Sequence, residues 1–427
     1  MRVLLVGGGA REHAIAKALV RSARCELFVI ASNGNPGLVE ISTQFVQERE
    51  ENVHRISRWA NKNRIEMAVI GPEGPLAFGL ADILGRIEIP VIGPQILAAQ
   101  LEASKLFLRQ VMDKYKIPGQ VEWHHFRYTE PLRSFLRSST KEYAVKPIGL
   151  TTGKGVKVMG VHLSSVEDAI AYGKQVLVRN IGGNEGVLLE ERLVGEEFTL
   201  QAFVDGNTVT PMPLVRDFKR AYEGDTGPNT GSMGSYSLSN GLLPFVTSTD
   251  YNQAFDILKR LVQAVVHTIG HQYKGILYGQ FMMTDQGVKL VEINVRFGDP
   301  EALNVLTLLE NDFLEICLAI SNGTLGSLKV GFKPKATVCK YVTPPGYPEN
   351  PKVGVPIRLD LKAISDLSVE VFFARVEAKG TAVLTTQSRS FALVGTGDTI
   401  QEAESSVEQA LTHVHGKFHV RHDIGKN

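Results

Sequence analysis

An α/β fold opening with a Rossmann-like parallel sheet is predicted for this chain by three observations. Short apolar runs recur through the first hundred or so residues. Each run ends in a Gly/Pro turn, and helical patterns separate one run from the next. That alternation is the signature of parallel strands joined by helical crossovers.

The elements follow in order. Residues 2–6 (RVLLV) read as a buried strand, and Gly7-Gly8-Gly9 closes it. Residues 11–22 read as a helix with Ala14, Ile15, Ala18 and Leu19 on one face. Further strands are predicted at 27–30, 67–70 and 90–92, ended by turns at 33–37, 71–75 and Gly93-Pro94. In such sheets ligands sit at the carboxyl ends of the strands, where these turns lie. Near residue 103 the texture changes. Residues 101–115 read as one charged amphipathic helix ending before Pro118-Gly119. A strand at 143–146, a glycine loop at 149–155, a strand at 156–161, a helix at 165–178 and a strand at 187–190 follow. Residues 199–215 suggest a hairpin turning at Asp205-Gly206-Asn207, and 221–241 a long Gly/Ser/Asn loop. A loop of that length inside a compact domain is usually functional. A helix at 250–269 and strands at 276–283 and 288–293 complete the block. The tail from about 328 is mixed, with a helix at 398–414 capped by Thr399 and Glu402.

Composition narrows the class. A chain of 427 residues predicts several domains at roughly 150 residues each. With 43% apolar and 21% charged residues it is neither disordered nor collagen-like. The 46 basic and 45 acidic side chains leave a net charge of +1. That argues against a nucleic-acid-binding surface but leaves room for a local phosphate pocket. The three cysteines are far apart and form no CxxC, as expected of a reduced compartment. The opening apolar run is too short for a secretory signal, and no run is long enough to span a membrane. A cytoplasmic protein is expected.

Four motifs carry chemistry. Gly7-Gly8-Gly9-Ala10-Arg11-Glu12-His13 lets backbone N–H groups approach a phosphate at a helix N-terminus, with Arg11 as a partner. It is not a dinucleotide fingerprint: Glu12 holds the third glycine's place, and the second strand ends in Ala31-Ser32-Asn33 without an acid for a ribose. A plain strand–helix turn is the bland alternative. Lys146 to Val156 (KPIGLTTGKGV) lacks P-loop spacing. It reads either as a flap over polyphosphate, with Lys146 neutralising phosphate charge, or as a surface hairpin. In Val291-Glu292-Ile293-Asn294-Val295-Arg296, Glu292 and Asn294 share one strand face, so Val291 and Ile293 should pack into the core. Two oxygen donors suit Mg²⁺, and Arg296, on the same face, suits a phosphoryl or carboxylate group. Such a row is costly to bury without a function. Arg216-Asp217-Phe218-Lys219-Arg220 carries both signs and can read a small zwitterion, and the loop at 225–234 can wrap a substrate. Both also fit a solvated charge run and a linker. Glu190, Glu191, Glu196 and Glu197 read as solvated acids, and His124-His125 as exposed. There is no GxSxG and no Cys–His pair, hence no sign of a protein nucleophile.

Taken together, GGGAREH, GPEGPL (71–76), AAQLEASK (98–105), KPIGLTTGKG (146–155), EERLVGEE (190–197), DTGPNTGSMG (225–234) and VEINVRFGDPEA (291–302) occur in order. The chain resembles the glycinamide ribonucleotide synthetase (phosphoribosylamine–glycine ligase) family of ATP-grasp enzymes over nearly its whole length. The resemblance implies an N-terminal α/β domain (1–102), an ATP-grasp domain (103–327) with a mobile lid at about 119–190, and a C-terminal mixed α/β domain (328–427). It implies a purine-biosynthetic reaction in which ATP, glycine and 5-phosphoribosylamine yield glycinamide ribonucleotide, ADP and phosphate through a glycyl phosphate.

Residue roles follow by position. The resemblance puts Lys105 and Lys146 on the ATP phosphates, with the loop carrying Gly149, Gly153, Lys154 and Gly155 closing over them. It puts Glu190, Glu191, Arg192 and Leu193 at adenine, Glu197 at the ribose, and Mg²⁺ or Mn²⁺ on Glu292 and Asn294. Gly9, Arg11, Glu73 and Pro94 would face the ribose phosphate of the amine substrate. Asp217, Lys219 and Arg296 would orient glycine and its phosphorylated form as the catalytic set. Asn229, Thr230, Gly231, Gly298 and Asp299 complete the substrate site. Ala10, Ile148, Ser232 and Gln280 depart from the family's usual residues. A monomer or weak dimer and a transient hand-off from the upstream amidotransferase are compatible with it. The alternatives are another ATP-grasp carboxylate–amine ligase and a non-catalytic nucleotide-binding module.

Overall fold

The computed structural model describes residues 1–151 and 155–426. Its N-terminal unit is a five-stranded parallel sheet in the order Gln44–Gln47, Glu26–Ala31, Arg2–Val6, Met67–Ile70, Val91–Ile92. Chain order reverses on either side of Arg2–Val6. The turns after that strand and after Met67–Ile70 therefore lie side by side at the switch point. The strand Gln44–Gln47 is unforeseen: it lies at the sheet edge, half exposed, and carries no apolar run.

Two antiparallel sheets form the centre. One runs Val209–Pro211, Glu196–Asp205, Lys274–Thr284, Gly287–Asn294. The helix Ser248–Ile269 packs Ile257, Leu258, Leu261 and Val265 into the core shared with this sheet. The other runs Trp123–Phe126, Val187–Glu191, Tyr143–Pro147, Lys157–Val158, and has a separate small core around Leu132, Tyr143, Ile170 and Leu189. Only Lys157–Val158 of the strand predicted at 156–161 forms, because Gly160, at φ +75°, turns the chain.

The single helix predicted at 101–115 is two. Ile96–Ala103 stops at Ser104, which is extended, and Lys105–Lys114 begins there. Ser104 Oγ accepts the Phe107 N–H at 3.3 Å, the ordinary action of a serine N-cap. The break puts Lys105 at a helix start, where its N–H donates to the Ile148 carbonyl at 3.0 Å.

The loop predicted at 221–241 is also corrected. Arg220–Tyr222 pairs with Thr226–Asn229, and Gly234–Ser237 is a buried strand. That strand sits in a sheet ordered Arg216–Asp217, Gly234–Ser237, Ala336–Val342, Phe391–Gly397, Val369–Phe373. Its sequence, GSYS, hides a strand because the backbone ladder, rather than β-branched side chains, holds it. At Gly234 (φ +155°) a Cβ would lie 2.1 Å from the Cys339 carbonyl oxygen, so glycine is required there. The last helix is Ile400–Leu411, with the Thr399/Glu402 capping box formed. Among the described residues no helix is long and apolar enough to cross a membrane.

Candidate active site

The cleft between the two central sheets holds about 730 Å³. Its floor is set by strand register. Thr199, Gln280 and Glu292 form one row across three strands, and Gln201, Tyr278 and Asn294 the next. Glu292 and Asn294 do share a face. Val291, expected in the core, does not pack there. The register slips between Gln280 and Phe281, so Val291 is the extra residue of a β-bulge and lines the cleft. Its carbonyl accepts from Arg109 Nη2 at 2.8 Å.

The opposite wall carries Lys146, whose Nζ lies 2.5 Å from Glu190 Oε2. Glu190 is buried, not solvated. Burial would raise its carboxyl, but Arg109 and Lys146 outweigh burial and hold it at about 2. Lys105 stands between the walls, its Nζ donating to the Gly149 carbonyl at 3.3 Å. Burial lowers its pKa, against the pull of Glu292. Arg192 and Leu193 line the cleft, as does Glu191, which also accepts the Glu122 N–H at 3.0 Å. Glu196 pairs with Arg216 at 2.5 Å. The glycine loop starts close to the turn after the helix Val166–Arg179: Gly149 N–H donates to Gly182 O at 2.9 Å, and a Cβ there would sit 2.2 Å from that oxygen. Leu150 and Thr151 face the cleft, while Gly149 and Gly155 do not line it. Gly153 and Lys154 lie outside the described residues.

At the far end Lys219 Nζ is 2.5 Å from Glu197 and 3.4 Å from Asp217. Burial opposes its charge, but Asp217 and Glu197 outweigh that and raise its pKa. Burial raises the Asp217 carboxyl despite Lys219. Asn229, Thr230, Gly231, Gly298 and Asp299 line the same end. Thr230 N–H donates to the Lys219 carbonyl at 2.7 Å. Ser232 holds φ +79°, a glycine-like conformation, with its Oγ bonded to the Phe218 and Gly234 carbonyls. Arg296 reaches Glu102 at 2.9 Å and Glu73 at 3.3 Å. Burial would raise Glu73, but Arg296 and Arg11 hold it down.

Gly9, Arg11 and Pro94 are not brought to the cleft wall. Gly9 N–H is taken by the Glu12 carboxylate at 2.7 Å, so the first helix carries its own anion. Arg11 pairs with Glu12 at 2.6 Å and donates to the Phe297 carbonyl at 3.1 Å. Glu102, Tyr278 and Glu301, which line the cleft, escaped the sequence reading, as did Arg109, which is fully buried and paired with Glu190. For Arg109 a signal existed, since it falls between Leu106 and Met112 on the helix's apolar stripe.

The chemistry on offer is coherent. One wall presents lysines, the facing floor an acid–amide–arginine row, and the far end a Lys/Asp pair. Among the described residues Glu292 has no ion-pair partner, so its carboxylate and the Asn294 amide oxygen remain available to a divalent ion. Among the described residues no group of three or more His, Cys, Asp or Glu could hold a metal on its own.

Comparison with known proteins agrees in kind. Three family models match: "Phosphoribosylglycinamide synthetase" N domain over 1–102, ATP-grasp (A) domain over 103–302, and C domain over 337–427. The phosphoribosylamine–glycine ligase of Methanocella arvoryzae is 47% identical, covering all of this chain and 96% of that protein. That of Methanothermobacter thermautotrophicus is 46% identical with the same coverage. The crystal structure of phosphoribosylamine–glycine ligase from Thermotoga maritima superposes with a TM-score of 0.82 at 29% identity, covering 99% of this chain and 100% of that one. A biotin carboxylase from Campylobacter jejuni shares the fold alone, with a TM-score of 0.74 at 13% identity over 100% of this chain and 93% of that one. The chain belongs to the phosphoribosylamine–glycine ligase family.

Proposed function

We propose that this chain joins glycine to 5-phosphoribosylamine with ATP, giving glycinamide ribonucleotide, ADP and phosphate. One observation carries the reading: Lys105 and Lys146 face the Glu292, Asn294 and Arg296 row across a single cleft. Cationic groups for a polyphosphate therefore stand opposite oxygen donors and an arginine for its transferred group.

A carboxylate does not acylate an amine directly, because oxide is a hopeless leaving group. In the proposed reaction a glycine carboxylate oxygen attacks the γ-phosphorus and the bond to the β-phosphate oxygen breaks, leaving ADP. Lys105 and Lys146 bind the phosphates and disperse charge as it shifts. Arg296 orients the acyl phosphate, and Asp217 with Lys219 reads the zwitterion. Glu292 and Asn294 would hold Mg²⁺ or Mn²⁺, which when bound supplies charge against the phosphate oxygens. The amine then attacks the acyl carbon and phosphate departs. The 123–191 sheet acts as a lid that keeps water from the acyl phosphate.

The test is incubation with ATP, Mg²⁺, glycine and freshly made phosphoribosylamine, with mass-spectrometric detection of the amide. ADP release should depend on glycine. Release supported equally by bicarbonate or other small acids, without amide, would sink the reading.

A further inference from the structure

Glu301 opens the helix Glu301–Leu308, directly after the Arg296 to Pro300 segment, and is 3% exposed. It lines the same cleft. The Tyr278 hydroxyl donates to Oε1 at 2.9 Å, and Thr199 Oγ1 lies 3.3 Å from it. Oε2 faces Gly298, where a Cβ would come within 2.2 Å. Among the described residues no lysine or arginine lies within ion-pair distance of Glu301. Other acids of the cleft are committed to a cation: Glu102 to Arg296, Glu190 to Arg109, Asp217 to Lys219, Asp299 to Arg389. Glu301 is thus a buried carboxyl held in place by hydroxyls and left without a counter-charge.

Its position sharpens this. Tyr278 is one rung beyond the Gln280–Glu292 row. Arg296 and Asp217 are both within electrostatic reach of Glu301. The carboxyl therefore stands at the glycine end of the cleft, beside the groups that orient the acyl carbon.

We propose that Glu301 is the catalytic base that takes the proton from the amine as it adds to the acyl phosphate. The inference rests on the function proposed above. The amine lone pair forms the C–N bond to the acyl carbon as the carbonyl π pair moves onto its oxygen. The nitrogen becomes cationic and gives one proton to a Glu301 carboxylate oxygen. The oxyanion pair then re-forms the carbonyl as the C–O bond to phosphate breaks, its electrons leave with phosphate, and the proton passes from Glu301 to the departing phosphate or to solvent. Until the nitrogen loses that proton, the amine is a better leaving group than phosphate and the adduct reverts. A base suited to this work titrates near the working pH. Burial, and next the neighbouring Asp217, push the Glu301 carboxyl up to about 7, with the Tyr278 hydroxyl and Lys219 acting the other way. Cys339 on the strand Ala336–Val342 and Arg296 are within electrostatic reach of it.

The two halves of the reaction separate the base from a mere positioning group. Hydroxylamine traps an acyl phosphate as a hydroxamate without needing this base. In Glu301→Gln, which keeps an Oε1 acceptor for Tyr278, glycine hydroxamate formation should stay within about threefold of wild type. Amide formation from phosphoribosylamine should fall by about 10²-fold or more. Glu301→Asp, which keeps a carboxyl, should retain at least about tenfold more amide formation than the Gln variant. Amide formation unchanged in Glu301→Gln overturns the proposal. So does an equal loss of hydroxamate and amide, or equal activity in the Asp and Gln variants. If the Gln variant fails to fold, the Asp variant decides: loss confined to the amide step supports the base, and parallel loss overturns it. Absence of both products from wild type would instead overturn the underlying function, and the base with it.

Discussion

Arg109 and Glu190 form a two-point pair, with Nε 2.8 Å from Oε1 and Nη2 2.9 Å from Oε2. Lys146 shares Oε2 at 2.5 Å. The guanidinium also donates to the Leu290 carbonyl at 3.0 Å and the Val291 carbonyl at 2.8 Å. One buried side chain therefore ties the helix Lys105–Lys114, the strand Val187–Glu191 and the bulge beside Glu292. Because Arg109 already balances Glu190, the pair leaves the charge of Lys146 in excess, as its proposed role at the ATP phosphates requires.

Glu190→Gln should destabilise the fold by about 3–5 kcal/mol, since it leaves Arg109 and Lys146 buried without their acid. Urea unfolding at pH 7 measures this. The folded carboxyl titrates at about 2 against an ordinary 4.5. Its contribution is therefore full above pH 4.5 and fades as pH falls toward 2. The gap between wild type and variant should narrow across that window. A gap that is constant with pH would dissociate the stabilisation from this carboxylate.

Glu292→Ala should leave folding intact and remove most glycine-dependent ADP formation, by about 10²-fold or more. Glu292 is half-buried and, among the described residues, has no ion pair to strand, so thermal unfolding should move little. Near-normal turnover would remove the metal assignment.

Much of this was legible in advance, for identifiable reasons. Strands ended by Gly/Pro turns announce themselves, so Arg2–Val6, Met67–Ile70 and Lys274–Thr284 were expected within a residue or two. The same logic missed Gln44–Gln47 and Gly234–Ser237, which are held by backbone pairing and carry no apolar alternation. Ser104 split a helix because its hydroxyl caps more strongly than the surrounding periodicity suggests. Glu292 and Asn294 were legible from spacing alone. Val291 was not, because a bulge breaks the alternation that spacing assumes. Glu301 hid in a motif valued for its arginine, and only burial beside Tyr278 singles it out.

His13 should make the fold acid-sensitive. Its Nδ1 accepts the Phe373 N–H at 2.9 Å and its ring stacks on Phe373 with centroids 6.0 Å apart. Burial, with Lys17 adding to it, depresses its pKa from 6.5 to about 3. The folded protein therefore keeps the ring neutral while the unfolded chain protonates it. Stability from this group is full above pH 6.5 and is lost at about 1.4 kcal/mol per pH unit as pH falls below that. His13→Gln, which offers an oxygen acceptor to Phe373, should lose less between pH 6.5 and 5. Urea midpoints across that range check it, and identical slopes would refute it.

Arg389 should govern substrate affinity from outside the cleft wall. Its guanidinium lies 4.1 Å over the Tyr341 ring and donates to Asp299 Oδ2 at 2.9 Å, to the Ser232 carbonyl at 3.0 Å and to the Gly231 carbonyl. Tyr341 donates to the other Asp299 oxygen at 2.5 Å. The loop at 225–234 and the Arg296–Asp299 segment are therefore pinned to each other by one residue that lies two positions before the strand Phe391–Gly397. A lysine keeps the charge but not the planar fork that serves these acceptors. Losing one charged hydrogen bond costs about 1.5–3 kcal/mol, roughly tenfold or more in affinity if it is expressed in binding. Arg389→Lys should thus raise the KM for glycine or phosphoribosylamine about tenfold while kcat changes less and ATP saturation is unaltered. Steady-state kinetics varying each substrate in turn decide it: a fall in kcat alone would place Arg389 in the chemistry, and no change would show that the loop keeps its shape without it.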